Sequence, residues 1–139
     1  MNELRQIGAR VPRLVVVMAL LASLACGGKP APTTVPAYVP GKKYEEVGVA
    51  SWYGKKYHGR KTASGETFKM NKLTAAHRTL PLGLTAKITN LDNGRTIKVR
   101  INDRGPFIDG RILDLSYGAA KKLGMVEAGL AQVRIEIKG

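Results

Sequence analysis

The chain has 139 residues, enough for one modest domain and too few for two with separate cores. Its 23 Lys and Arg outnumber 10 Asp and Glu, so at a net charge of +13 its partner is expected to be anionic. The single cysteine excludes an internal disulfide, and two histidines without paired spacing speak against a Cys/His zinc site; no metal and no cofactor are expected. Residues 1–25 have the three-part form of an export signal, with Arg5, Arg10 and Arg13 first, an apolar run of 12 residues next, and Cys26 at the end. A helix rising about 1.5 Å per residue needs roughly 20 apolar residues to cross a bilayer, so residues 14–25 are expected to be removed rather than kept as an anchor. Their removal, with the preceding residues, takes away three arginines and one glutamate and leaves a net charge of +11. Export also withdraws nucleic acid from the possible partners and leaves anionic wall polymers and lipid head groups.

Ser23-Leu24-Ala25-Cys26 resembles a bacterial lipobox, in which small residues let a signal peptidase cut before a cysteine that carries diacylglycerol. Ser23 stands where Leu is usual, so an ordinary secretory signal followed by a leftover thiol remains the alternative. Gly27 follows the cysteine where an Asp would suggest retention in the inner membrane, so the resemblance implies an outer-membrane lipoprotein, anchored at Cys26 and facing the periplasm.

Residues 26–43, rich in Gly, Pro, Thr and Lys, read as a flexible tether, and the folded domain is expected over 44–139. Residues 47–53 carry the first strand signal, and the Lys-, Gly-, Thr- and Ser-rich stretch 54–65 reads as a surface loop. Residues 84–91 and 95–101 alternate polar with apolar around Asp92-Asn93-Gly94, which predicts a tight hairpin. Ser116 is placed to cap a short helix over 117–123, with Gly124 marking its end, and 132–137 alternate again as a closing strand. Many short strands, one small helix and no βαβ rhythm predict a closed, mainly β barrel.

Seven segments appear in order over residues 48–116: Gly-Val-Ala-Ser-Trp-Tyr-Gly at 48–54, Thr-Ala-Ser-Gly-Glu at 62–66, Thr-Ala-Ala-His at 74–77, Leu-Pro-Leu-Gly at 80–83, Thr-Asn-Leu-Asp-Asn-Gly at 89–94, Val-Arg-Ile-Asn-Asp-Arg-Gly-Pro at 99–106 and Asp-Leu-Ser at 114–116. Together they resemble the RlpA family of rare lipoproteins. That resemblance implies a six-stranded double-psi β-barrel with one or two short helices. It also implies an endolytic peptidoglycan lytic transglycosylase that prefers glycan strands stripped of stem peptides and leaves anhydromuramic ends. Many relatives add a C-terminal SPOR domain that binds such strands; the chain stops at Gly139, so no SPOR domain is expected and septal recruitment by that route is not implied. A monomer is expected, with division or envelope proteins as the class of protein partner.

Glycosidic cleavage needs an acid to protonate the departing oxygen, and a transglycosylase can manage with one carboxyl, which then takes the proton of the muramic sugar's own primary hydroxyl. Asp103 is the first candidate, because Gly105 and Pro106 force the chain out of strand geometry just beyond it and turn its side chain toward a barrel rim. A carboxylate at a turn is otherwise most often an Asx-type cap on its own backbone. The resemblance adds Glu66 and His77 to the active site. Without it Glu66 is an exposed loop residue and His77 a satisfied polar group. Trp52 and Tyr53 both offer flat faces for a sugar ring and belong to the expected substrate-binding set; strand alternation sends them to opposite faces, with Tyr53 the preferred sugar contact. Ser64, Asn102, Arg100 and Arg104 complete the expected substrate-binding set. Asp114 is expected to bond backbone or Arg104, and His58 to lie on the surface. A denuded strand exposes free lactyl carboxylates, which a basic groove attracts, whereas a peptide-bearing strand presents the same carboxyl as an amide. The rival reading is a non-catalytic wall-binding module, since plant expansins share a similar barrel and loosen polysaccharide without hydrolysis.

Overall fold

The computed structural model describes residues 35–139, so the export signal, Cys26 and the first part of the tether lie outside the described residues. Among the described residues the strands are β1 (Tyr44–Tyr53), β2 (Thr74–Ala76), β3 (Thr85–Asn90), β4 (Thr96–Asp103), β5 (Arg111–Ser116) and β6 (Ala131–Ile137), with one helix, α1 (Tyr117–Lys122), and a single 3₁₀ turn, Lys55–Tyr57. They close into a barrel in the order β1-β5-β2-β4-β3-β6. The pairs β1–β5 and β2–β4 are parallel and the rest antiparallel, which is the six-stranded double-psi arrangement.

Alternation builds the core. In β6 Ala131, Val133, Ile135 and Ile137 point inward, and in β3 Ala86 and Ile88 do the same. Leu113, Leu115, Val99, Ile101, Leu80 and Leu123 fill the remaining interior, each side chain contributing about 1.5–3 kcal/mol relative to exposure. Tyr38 packs on Tyr44 at 6.2 Å and against this core, so the folded unit takes in the last part of the segment expected to be tether.

The expected hairpin joins β3 to β4 around Gly94 at φ +78°. Asn90 is buried at its inner corner and donates Nδ2–H to the Leu123 carbonyl at 3.0 Å; Asn93 donates to the same oxygen at 2.8 Å. The hairpin therefore caps the C-terminal end of α1. At the other end Ser116 Oγ accepts from the Ala119 N–H at 3.2 Å, as the sequence predicts. Gly118 sits against the Asn71 carbonyl, where a Cβ would lie 2.6 Å from the oxygen.

Two β-bulges decide what the barrel presents. One lies in the β1–β5 ladder, where Val49 pairs with Arg111 and Ala50 with Leu113, leaving Ile112 as the extra residue. The other lies between β2 and β4, where Ala75 pairs with Ile101 and Ala76 with Asp103, leaving Asn102 as the extra residue. A bulge bends its strand and re-aims the next side chain. Here it brings Asp103 opposite Ala76 at the end of β4, just before Gly105 at φ +127°.

Candidate active site

Asp103 ends a strand and opens onto a cavity of about 370 Å³ lined by Tyr53, Tyr57, Arg60, Lys61, Thr62, Phe68, Ala76, Asp103, Arg104 and Asp114. One wall is the segment from Arg60 to Phe68, which folds back on itself through Phe68 N–H to Arg60 O at 2.7 Å and Thr62 N–H to Glu66 O at 2.8 Å. Its tip is clasped to β4 by Ser64 N–H donating to Asn102 O at 3.1 Å. The same tip presents the Ala63 N–H to Asp103 Oδ1 at 2.9 Å, and the Arg104 N–H meets that oxygen at 2.9 Å. Asp103 Oδ1 is thus held by two backbone donors, one from the next residue and one from the facing turn rather than in an Asx turn, while Oδ2 has no protein partner among the described residues.

The opposite wall holds Asp114, whose Oδ1 accepts the Ser51 hydroxyl. Neither the backbone nor Arg104 is its partner, contrary to expectation. Ser51 in turn accepts from Arg111 Nη1 at 3.4 Å. Arg78 fixes the approach to this strand by donating to the carbonyls of Pro106 at 2.6 Å, Ile108 at 2.9 Å and Arg111 at 2.9 Å.

Alternation along β1 separates Trp52 from Tyr53. Tyr53 enters the cavity wall, with its ring 4.7 Å from Phe68 and 5.7 Å from Tyr57. Its hydroxyl is buried without a partner; burial first, then the charges of Asp103 and Asp114, hold the phenol above its ordinary pKa. Trp52 instead packs on Tyr117 at 5.6 Å and does not line the cavity, which corrects its expected place among the substrate contacts: its side of the strand faces α1. Tyr57, in the segment expected to be a plain surface loop, is 41% exposed at the cavity mouth, with Arg60 over its ring at 5.7 Å.

Glu66 lies outside this cavity. It pairs with Arg100 and accepts from Asn102 Nδ2 at 3.4 Å in a neighbouring groove with Lys69, Lys72 and Thr74. Arg100 and Asn102 therefore face Glu66 rather than Asp103, because the bulge at Asn102 separates the two sides of β4. The Ser64 hydroxyl is spent within its own turn, 2.9 Å from Thr62 Oγ1. Arg104 lines the cavity but gives Nη1–H to the carbonyls of Leu80 at 2.6 Å and His77 at 3.2 Å.

His77 departs furthest from its expected role. Its backbone N–H bonds Asp103 O at 3.1 Å, yet its ring is 1% exposed and turned away from the cavity. Nδ1 accepts from the Thr79 and Leu80 N–H groups at 3.1 and 3.0 Å, so the ring proton sits on Nε2 and is donated to Glu46 Oε2 at 2.8 Å. Tyr44 donates to the same carboxylate oxygen at 2.6 Å. Burial pushes the Glu46 carboxyl up, and the hydrogen bonds from His77 and Tyr44, with the charge of Arg78, more than offset it and leave it below its ordinary pKa. Every polar atom of the imidazole is occupied, leaving none for a substrate. Glu46, the partner that closes this cluster, was absent from the sequence reading. Among the described residues no group of three or more His, Cys, Asp or Glu is arranged to hold a metal ion.

The model of the lytic transglycolase family matches residues 45–135, which contain all the residues of the Asp103 cavity. The chain belongs to this family. Among its relatives, the endolytic peptidoglycan transglycosylase RlpA of Vibrio cholerae is 59% identical over 69% of this chain and 36% of its own. The protein of that name from Pseudomonas aeruginosa PAO1 is 56% identical over 68% of this chain and 28% of its own. The chain thus spans about a third of the length of these RlpA relatives. Among solved structures, a Streptomyces papain inhibitor (TM-score 0.55, 23% identity, 68% of this chain and 96% of that one) shares the barrel. So does an expansin of Clavibacter michiganensis (TM-score 0.55, 18% identity, 68% and 51%). At these identities the likeness is one of fold.

Proposed function

We propose that this RlpA-family domain is an endolytic peptidoglycan lytic transglycosylase, cleaving between N-acetylmuramic acid and N-acetylglucosamine and leaving anhydromuramic ends. The observation that carries this reading is Asp103, fixed through Oδ1 and free at Oδ2 on the rim of an open cavity. A carboxyl held in this way has one oxygen positioned and the other available to protonate a departing glycosidic oxygen. The muramic sugar's primary hydroxyl then attacks the anomeric carbon, and no water is consumed. The names of the curated relatives support the same substrate.

The preferred substrate is a strand lacking stem peptides. Its free lactyl carboxylates suit a cavity mouth carrying Arg60, Lys61 and Arg104. The protein acts as a monomer, exported, lipid-anchored at Cys26 in the outer membrane and facing the periplasm, where division or envelope proteins are its neighbours. Residues 1–25 support export and Ser23-Leu24-Ala25-Cys26 supports the anchor.

A second reading, a non-catalytic wall-binding module, is favoured by the two backbone N–H groups on Asp103 Oδ1, since a carboxylate satisfied in a turn often has only that task. Digestion of amidase-treated sacculi separates the two. The transglycosylase releases soluble anhydromuramic fragments, and Asp103→Asn lowers their yield by roughly 10²–10⁴-fold. Binding to sacculi without fragments, unchanged by Asp103→Asn, selects the binding module.

A further inference from the structure

The cavity contains a carboxylate that neither the residue pattern nor the resemblance brought to it. Ala76 is the Cα partner of Asp103 in the β2–β4 ladder and of Asp114 in the β2–β5 ladder, and all three residues line the cavity. Two strand spacings of about 4.8 Å set the aspartate Cα atoms roughly 10 Å apart. Between them the floor is only the methyl group of a residue 3% exposed.

The two aspartates are anchored from opposite walls and in the same manner. Asp103 Oδ1 is fixed by the turn at residues 62–66 and by its own strand end, and Asp114 Oδ1 by Ser51 on β1. Among the described residues the second oxygen of each has no protein partner, and neither aspartate forms a salt bridge. The anchor of Asp114 has a further property. A serine hydroxyl donates to a carboxylate and accepts from a carboxylic acid, so its bond to Asp114 survives a change of protonation. A backbone N–H only donates.

We propose that Asp114 is a second catalytic carboxylate of this site, receiving the proton of the attacking hydroxyl while Asp103 protonates the departing oxygen. The proposal rests on the transglycosylase reading above. In the step, the bond from the muramic anomeric carbon to the bridging oxygen breaks. Its electron pair stays on that oxygen, which takes the proton of Asp103. The primary hydroxyl oxygen of the same muramic residue bonds to the anomeric carbon, and its proton goes to Asp114. The products are an anhydromuramic end and a free glucosamine hydroxyl, and proton exchange through solvent restores Asp103 as acid and Asp114 as base.

The test uses the full chain as wild type, Asp103→Asn and Asp114→Asn, each checked by thermal melting. The substrates are denuded glycan strands and an aryl glycoside of N-acetylmuramic acid, whose leaving group needs no proton. Both variants are expected to lose roughly 10²–10⁴-fold on glycan. The aryl substrate restores Asp103→Asn and leaves Asp114→Asn slow. Added azide, a nucleophile with no proton to lose, restores Asp114→Asn and yields a glycosyl azide. Wild-type rates for Asp114→Asn, or a loss that azide does not restore, overturn the second carboxylate and return Asp114 to a strand-pairing role with Ser51. Absence of anhydromuramic product from the wild type, or full activity in Asp103→Asn, instead overturns the transglycosylase reading beneath it.

Discussion

Two of the barrel's carboxylate sites, around Glu46 and around Asp103 and Asp114, are built from similar parts and differ in access. Around Glu46, Tyr44 and His77 both donate to Oε2, the imidazole has no polar atom to spare, and ring and carboxylate are buried away from the cavity. Around Asp103 and Asp114, each carboxylate has one oxygen fixed and one unspent, and both open on a cavity large enough for sugar rings. The first arrangement is a buried polar network, which holds strand β1 to the turn after β2. The second keeps its side chains still without using up their chemistry, which is what a catalytic group requires. Access to a cavity, rather than residue type, separates the structural site from the functional one.

The largest expected effects cross that comparison. Asp103→Asn should cost roughly 10²–10⁴-fold in anhydromuramic release, about 3–5 kcal/mol of barrier, with little change in melting temperature. His77→Ala should do the reverse. It leaves the buried Glu46 carboxylate without one of its two hydrogen-bond donors, a loss of about 1.5–3 kcal/mol in stability, and the fraction that stays folded should retain near wild-type turnover. Denaturant melts combined with activity per folded molecule check both, and an inactive but fully stable His77→Ala would break the comparison.

A smaller effect concerns pH. The folded-state pKa of Glu46 lies below the ordinary value of 4.5, so its contribution is fully present above that value and is lost as pH falls through the lowered one. Acid melts of wild type should therefore steepen below about pH 4.5, and Glu46→Gln should remove that part of the slope. Smaller still is Tyr53→Phe. Its hydroxyl is buried and unpartnered, so its removal should leave stability unchanged or slightly raised; a fall in melting temperature would mean that the hydroxyl is satisfied in solution.

Elements with a strong local signal were legible in the sequence. The β3–β4 hairpin, the Ser116-capped helix and β6 each carry alternation or capping within a few residues. Strand β2 is only three residues of Thr and Ala, and it owes its place to pairing with β4 and β5, which no local pattern reports. The site divides along the same line. The turn beyond Asp103 pointed to its exposure, but the bulge at Asn102 that aims it arises from a parallel pairing distant in sequence. Asp114 resembled an ordinary residue of a short apolar run, because its position opposite Ala76 depends on closure of the barrel. His77 and Glu46 are 31 residues apart, so the bond that makes the histidine structural was out of reach of any spacing argument.

Mass spectrometry of the soluble fragments released from amidase-treated sacculi, by wild type and Asp103→Asn side by side, tests the central claim most directly. Wild type should yield fragments ending in anhydromuramic residues, one water lighter than hydrolytic ends, and the variant almost none. Hydrolytic ends from the wild type, or equal anhydromuramic yields from both proteins, would contradict it.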